Sequence, residues 1–465
     1  MIQIVITFLY LIATILISLW SKKKAKTAKT FEGANLGLLL CIVAGAGEWL
    51  GGTSTTGVSE YGYLYGISGA WYTVANSLGI CFLAIFFAKM FRKINTPTVS
   101  GIVGKYLGTE AKKVSAIFLI IIMIAVGTSQ MVALGTLGET LFGFDSVTAI
   151  LVMGFGVLLY TVLGGMMAVG YTNIMHLIIM YIGAFLAIFL SVKDINGFGT
   201  LTSTLPANYF SVLNIGPAKV ASWILASVLG ACTAQAGLQP ILTSKDEKTA
   251  VKSSFLIAAI VAPFGILIAI LGMIAKVRFP ELENAKLALP TLLLSLPKVS
   301  GGFIMASIFA AILSTAAPIF LASGTLFSRD VYKQTVKDRE KLSDKKMLMV
   351  SRTATFVSGL ICIGLAIVLG RTSTILDMVY FAYSLRGSMF IILLLGIYWK
   401  KTSSLGAIIS MVLTGVVGLF WVAYKNMFGA YPIHEAFSET YIAIIVATVS
   451  TVVFSFICKK KDSTK

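Results

Sequence analysis

Residues 36–56 read LGLLLCIVAGAGEWLGGTSTT, and this stretch begins as a membrane helix without ending as one. Leu36 to Ala46 is a continuous apolar run. Gly47, Glu48, Trp49, Leu50, Gly51 and Gly52 follow, and then four hydroxyls at Thr53, Ser54, Thr55 and Thr56. Adjacent glycines weaken a helix, and the hydroxyl-rich half cannot face lipid. The reading is a helix that unwinds in mid-membrane, freeing backbone carbonyls that can ligate a cation or a solute. The alternative is a glycine-rich face packed on a neighbouring helix.

The same break recurs in Ser222 to Leu242, where Gly230, Thr233, Gln235, Gly237, Gln239 and Pro240 interrupt an apolar run. Around these two stretches lie other apolar runs of roughly 18–25 residues, each able to cross a hydrocarbon core of about 30 Å as a helix. They do not alternate as barrel strands would. The expected fold is an all-α membrane protein of about thirteen transmembrane helices. Their approximate positions are 2–20, 33–58, 66–90, 114–140, 146–163, 168–191, 221–243, 254–276, 299–327, 353–370, 373–398, 404–424 and 440–458. The first has no basic residue before its apolar core and Lys22, Lys23 and Lys24 behind it, so it reads as a retained helix and not a cleaved signal.

Composition agrees: 57% of residues are hydrophobic and only 12% charged, with a mean hydropathy of +0.91. A soluble domain carries about twice that share of charge. The net charge of +18 does not indicate nucleic acid. Counting loops alternately from an outside N-terminus puts about 28 of the 37 Lys and Arg on one side. That bias predicts an outside N-terminus, a cytoplasmic C-terminus and an odd number of spans, and the expected location of such a multi-pass chain is the plasma membrane. Cys41, Cys81, Cys232, Cys362 and Cys458 sit in or beside apolar spans without ligand spacing. The longest loops, roughly 192–220, 277–298 and 328–352, read as too short to form a domain.

Charges deep in a membrane are functional suspects. Glu48 and Arg386 each lie about 14 or 15 residues from the basic end of their spans, hence about 22 Å deep if helical. They either pair with each other or bind the amine and carboxylate of a zwitterion. Nearby Trp49, Tyr380, Phe381 and Tyr383 allow a quaternary ammonium substrate, against which Arg386 would act. Gly51, Thr128, Gln130, Thr233 and Gln235 are further candidate solute contacts, or else interhelical hydrogen bonds. Asp377 and Arg371 lie nearer the outer mouth and read as gate or interface residues. An intramembrane enzyme would need a convergent set of histidines or acids that the two histidines and sparse intramembrane acids do not supply. No segment resembles a channel filter.

Four motifs, in order, narrow the family. Ala46-Gly47-Glu48-Trp49-Leu50-Gly51-Gly52 continues to Tyr63-Leu64-Tyr65-Gly66, and Tyr160-Thr161-Val162-Leu163-Gly164-Gly165 leads to Thr172-Asn173-Ile174-Met175-His176. Ala311-Ile312-Leu313-Ser314-Thr315 descends to Ser328-Arg329-Asp330-Val331-Tyr332-Lys333, and Gly396-Ile397-Tyr398-Trp399-Lys400 ends the eleventh span. Together they resemble the sodium:solute symporter family over nearly the whole chain, and the first is most similar to its choline-transporter branch.

The resemblance implies the five-plus-five inverted repeat also seen in the leucine transporter. The division would be an extra helix and loop in 1–32, repeats in 33–192 and 193–402, and two further helices with a basic tail in 403–465. It also implies one sodium ion held by backbone carbonyls of Ala46, Trp49 and Ala311 and the hydroxyls of Ser314 and Thr315. Relatives that hold a second sodium use an Asp where this chain has Asn173, and hydroxyls where it has Ala317 and Pro318, so a single coupling ion is expected. His176 stands where Gln is usual and reads as a gate residue near the cytoplasmic side, not a metal ligand. The implied function is sodium-coupled import of a small polar organic solute through substrate-contacting Glu48, Gly51, Gln130, Gln235, Tyr383 and Arg386. Coupling to protons, or a choline-like quaternary amine as cargo, is the alternative. The partners expected are the solute, sodium and membrane lipid, with no nucleic acid and no obligate protein partner.

Overall fold

The structure, a computed structural model, describes residues 2–22, 35–336, 342–370, 374–434 and 437–458. Every regular element among them is helical, and one parallel bridge joins Leu36 to Ser244. The first half comprises α1 (Ile2–Lys22), α2 (Leu38–Trp49), α3 (Val58–Tyr65), α4 (Trp71–Phe86), α5 (Thr109–Phe142) and α6 (Ser146–Asp194). Then come α7 (Pro217–Ala231), α8 (Gln235–Leu242), α9 (Glu247–Arg278) and α10 (Lys298–Leu326). The remainder is α11 (Asp344–Leu369), α12 (Ile375–Tyr398), α13 (Ser404–Phe428) and α14 (Glu439–Ile457).

Side chains set the boundaries. Asp145 accepts from Thr148 N at 3.0 Å to begin α6, and Asp246 accepts from Thr249 N at 2.7 Å to begin α9. Ser403 does the same for Gly406 N at 2.9 Å at the head of α13. Each satisfies an amide that a helix start leaves without a partner. Inside α6, Gly165 adopts φ 65° and ψ −174°, a conformation that side chains with a Cβ rarely tolerate. The chain turns there, between the expected spans 146–163 and 168–191.

Among the described residues ten helices are long and apolar enough to cross a membrane, and shorter apolar ones lie at Ile2–Ile17, Leu38–Trp49, Ser146–Leu159 and Ala285–Ser295. Length and hydropathy alone do not return thirteen. The breaks shorten some segments, and α3 and α4, which part at Gly66 (φ 72°), count once within Thr53–Phe86. Ala288–Ser295 falls in a stretch expected to be loop. It is a short helix whose Leu289, Leu292 and Leu293 are fully buried.

The most enclosed of the candidate spans among the described residues contains α10, and its membrane window is entirely buried. It lies behind α2 and contacts α1, α5, α6 and α11. A helix apolar all round is a core element, and α10 is interrupted in that character only by small hydroxyls such as Ser307, Ser314, Thr315 and Ser323.

Candidate functional site

Helix α2 ends at Trp49, with Leu50 at φ −107° and ψ 54°. The chain resumes through a wide π-turn, Thr53–Gly57, before α3. Gln130 of α5 holds this gap open. Its Oε1 accepts from Gly52 N at 2.7 Å, and its Nε2 donates to Thr53 Oγ1 at 2.7 Å. Gly51 O accepts from Thr55 N at 3.0 Å and from the Ser54 and Thr55 hydroxyls at 2.9 and 3.0 Å, so the turn is tied to the break by three bonds to one carbonyl. A Cβ on Gly51 would collide with Thr315 Oγ1 and come 2.5 Å from Gln130 Oε1. Only glycine permits that approach.

Across the gap the hydroxyl pair of α10 touches α2. Thr315 donates to the Gly47 carbonyl. Ser314 donates back to Ala311 O at 2.7 Å in its own helix, the usual habit of such residues, and lies 3.5 Å from Gly47 O. The carbonyl engaged is therefore that of Gly47, flanked by the Ala46 and Trp49 singled out from the sequence. Ala46 O accepts from Leu50 N at 3.1 Å. Beside them Asn173 Nδ2 donates to Val43 O and Ser314 O at 3.3 and 3.4 Å. Its Oδ1 is buried with no partner among the described residues.

One turn away, Arg386 Nη2 donates to Glu48 Oε1 at 3.0 Å, with side chains 0% and 1% exposed respectively. The second broken helix closes over this pair. Between α7 and α8, Thr233 Oγ1 donates to Arg386 O at 2.6 Å. A Cβ on Gly230 would sit 3.3 Å from Arg386 Cβ, and one on Gly237 would sit 3.2 Å from Glu48 Cγ. The two breaks thus face each other across a buried ion pair. That pair is incompletely bonded: Glu48 Oε2, Arg386 Nε and Arg386 Nη1 are buried without hydrogen-bond partners among the described residues. The guanidinium lies 4.9 Å from the Tyr383 ring centre and 5.9 Å from that of Trp49.

Aromatic rings wall this centre. Tyr383 and Tyr72 share a 2.9 Å hydroxyl contact, and Tyr380 stacks on Trp223 at 4.3 Å. Asn76 of α4 lies by Tyr383, and Ser227 of α7 by Tyr380. Among the described residues no hydrogen bond of standard geometry reaches either amide atom of Asn76, the hydroxyl of Ser227 or that of Tyr380, all of them buried. Tyr72, Asn76, Trp223 and Ser227 escaped the sequence reading. An Asn-Ser pair at 76–77 within an apolar run was the signal available for them.

Other expected residues lie elsewhere. Gln235 is occupied by the 97–99 segment: its Oε1 accepts from Val99 N at 2.8 Å and its Nε2 donates to Pro97 O at 3.2 Å. Thr128 bonds back to Ile124 O at 2.8 Å. His176 is fully buried against Tyr10 of α1, its Nδ1 in contact with the Tyr10 hydroxyl. Among the described residues no cluster of His, Cys, Asp or Glu could hold a metal ion. Asp377 pairs with Lys219 at 3.2 Å and accepts from Tyr61 OH at 3.0 Å, while Arg371 lies outside the described residues.

Comparison with known proteins agrees with this architecture. A curated relative, a sodium/glucose cotransporter of Vibrio parahaemolyticus, is 26% identical over 400 residues, covering 78% of this chain and 73% of its own. A Na+-coupled sialic acid symporter, solved in a substrate-bound outward-open state, superposes with a TM-score of 0.79 at 18% identity, covering 98% of both chains. MhsT in complex with L-phenylalanine gives 0.58 at 16% identity, over 89% of this chain and 98% of its own. These likenesses show the leucine-transporter type of fold. The family model for the sodium:solute symporters matches residues 31–415, which include both broken helices, the hydroxyl pair and the buried ion pair. The chain is a membrane transporter, not an enzyme, and belongs to the sodium:solute symporter family.

Proposed function

We propose that this chain couples the inward movement of one sodium ion to that of a small zwitterionic solute, by alternating access through the centre between the two breaks. The observation that carries the solute class is the Glu48–Arg386 pair, buried yet holding one hydrogen bond. A guanidinium has five N–H donors, and buried donors without acceptors cost about 1–3 kcal/mol each. A carboxylate on Arg386 and an amine on Glu48 would supply the missing partners. Tyr72, Asn76, Ser227 and Tyr383 would line the remainder, with Gly51 and Gln130 shaping the floor. The aromatic wall also suits a quaternary amine, since Glu48 offsets the charge of Arg386. That is the second reading.

Sodium wants several oxygens, and neutral ones suffice. Ala46, Trp49 and Ala311 carbonyls with Ser314 and Thr315 hydroxyls form the proposed cage. Its support is that Thr315 already reaches α2. The hydroxyl that now donates to Gly47 would turn its lone pairs to the ion. For the single-ion stoichiometry, the support is Asn173, a neutral amide with no charge to offset a second cation and with its Nδ2 engaged by Val43 O and Ser314 O. An outside N-terminus, a plasma-membrane location and the repeats 33–192 and 193–402 belong to the same reading, and coupling to protons in place of sodium is its alternative.

The test is solute uptake into proteoliposomes with and without an inward sodium gradient, the solute chosen by a thermal-shift screen of amino acids, carboxylates, amines and sugars. Each ligand must tighten the other by the same factor. Ser314→Ala combined with Thr315→Ala should therefore weaken solute binding at fixed sodium. Unchanged sodium dependence in that variant would remove the ion-site assignment, and a measured ratio of two sodium ions per solute would contradict the single site.

A further inference from the structure

Away from the centre, a cavity of about 420 Å³ opens on the flank of the bundle between α5, α11 and the π-turn Phe327–Tyr332 that follows α10. Its walls include Ile120, Ile124, Phe327, Val357 and Ile361, with almost no polar surface. It opens sideways, where a spanning helix meets lipid: Met349 is 62% exposed and Val357 46%. Each wall also rises from a lysine at the same end of the molecule. On α11, Lys346, Val350, Thr353 and Val357 recur at helical spacing on one face, with Lys345 adjoining. Lys333 follows Tyr332 directly, and Lys113 stands one turn before Ile117 on the Ile120–Ile124 face of α5. Lys113 is held by Glu110 at 2.8 Å, whereas Lys333, Lys345 and Lys346 are exposed and make no ion pair among the described residues.

We propose that this groove binds one anionic phospholipid of the adjoining leaflet, an acyl chain in the cavity and the phosphate on Lys333, Lys345 and Lys346. The chemistry has two halves. The groove offers carbon to carbon and is of small-ligand size. The lysines offer unpaired positive charge where an anionic leaflet surface would lie. The groove is also placed to matter. It abuts the end of α10, the helix carrying Ser314 and Thr315, and Gly324 of α10 packs on the Ser351 carbonyl of α11 with room for no side chain. Occupancy would brace α10 against α11 during transport.

The experiment uses the delipidated full chain exposed to vesicles of phosphatidylcholine doped with phosphatidylglycerol, then re-isolated, with bound lipid counted by mass spectrometry. About one phosphatidylglycerol per chain is expected, enriched over its share of the vesicle. Lys333→Ala, Lys345→Ala and Lys346→Ala should weaken retention by roughly fivefold each, the factor for a basic side chain at an anionic surface. Ala354→Phe, which fills the cavity and leaves the lysines, should also release the lipid, and far-UV melting curves check that each variant folds. Equal retention of the two lipids, retention unchanged in both kinds of variant, or displacement by free glycerol phosphate would each overturn the proposal. So would a Met349→Cys variant that forms a disulfide between copies in place of binding lipid, because the groove would then be a dimer contact.

Discussion

Arg386 has more donors than acceptors around it, and that imbalance sets the energetics of the site. Desolvating two charges costs several kcal/mol per ion, and a single 3.0 Å contact offsets that incompletely. Removing either partner strands the other. Arg386→Met or Glu48→Gln should each lower stability by about 3–5 kcal/mol, read as a fall in the thermal unfolding midpoint in detergent. Glu48→Leu with Arg386→Met should recover most of that loss, as apolar replacements of buried ion pairs commonly do. Transport should stay absent in the double variant. A double variant that regained uptake together with stability would reduce the pair to a structural clamp. At this scale the sequence was informative about charge and poor about company. Glu48 and Arg386 stand out because ionisable groups are rare at membrane depth. Asn76, Tyr72 and Ser227 look like ordinary residues of their helices, and only the approach of α4 and α7 to α12 makes them a lining. Gln235 is the opposite case: its polarity was visible, but the loop at 97–99 that bonds it was not.

The break in the second span was the most legible element, because its cause is local. Two glycines followed by four hydroxyls cannot continue an apolar helix, and the chain leaves the helix at Leu50, the residue before them. What holds the gap in shape was not legible, since Gln130 comes from 78 residues downstream of Gly52. Its amide serves the Gly52 N–H and the Thr53 hydroxyl together. Gln130→Leu would leave the buried Gly52 N–H without a partner, at a cost of about 1–3 kcal/mol, and the Thr53 hydroxyl with only its 3.5 Å contact to Ser129 Oγ. The expected outcome is a lower unfolding midpoint and faster amide exchange confined to 49–57, measured by hydrogen–deuterium exchange. Gly51→Ala should act differently, by pushing Thr315 and Gln130 away. It should raise the sodium concentration for half-maximal uptake at least several-fold, while amide protection in α3 and α4 is retained. His176 shows the limit of reading by position: expected near a gate, it lies beneath α1, whose packing site no local pattern in the first helix announced.

Alternating access requires both ends of the molecule to open in turn, and contacts at the two ends set the balance. At the basic end, Leu36 N donates to Thr243 O and Lys245 N to Leu36 O, each at 3.0 Å, which joins the start of one broken helix to the end of the other. Arg92 Nε donates to Ser244 O at 2.6 Å and adds a second tie. At the opposite end Lys219 of α7, Tyr61 of α3 and Asp377 of α12 form one cluster, with Lys219 Nζ 2.8 Å from Tyr61 OH and 3.2 Å from Asp377 Oδ1. Both of its charged side chains are about a third exposed, so the pair contributes only about 1 kcal/mol or less. In a two-state equilibrium that is still a factor of about five. Asp377→Asn should therefore shift the population toward opening at this end without unfolding the protein, and Arg92→Ala should shift it the other way. The readout is the labelling rate of a cysteine placed at Ser227, in a background without the native cysteines, by a membrane-impermeant thiol reagent added at the Lys219 end. Labelling should quicken several-fold in Asp377→Asn and slow in Arg92→Ala, and sodium should move both rates in the direction of the state it binds. Equal rates in the two variants would mean that these ties do not set the balance, and that the barrier to exchange lies in the Glu48–Arg386 centre.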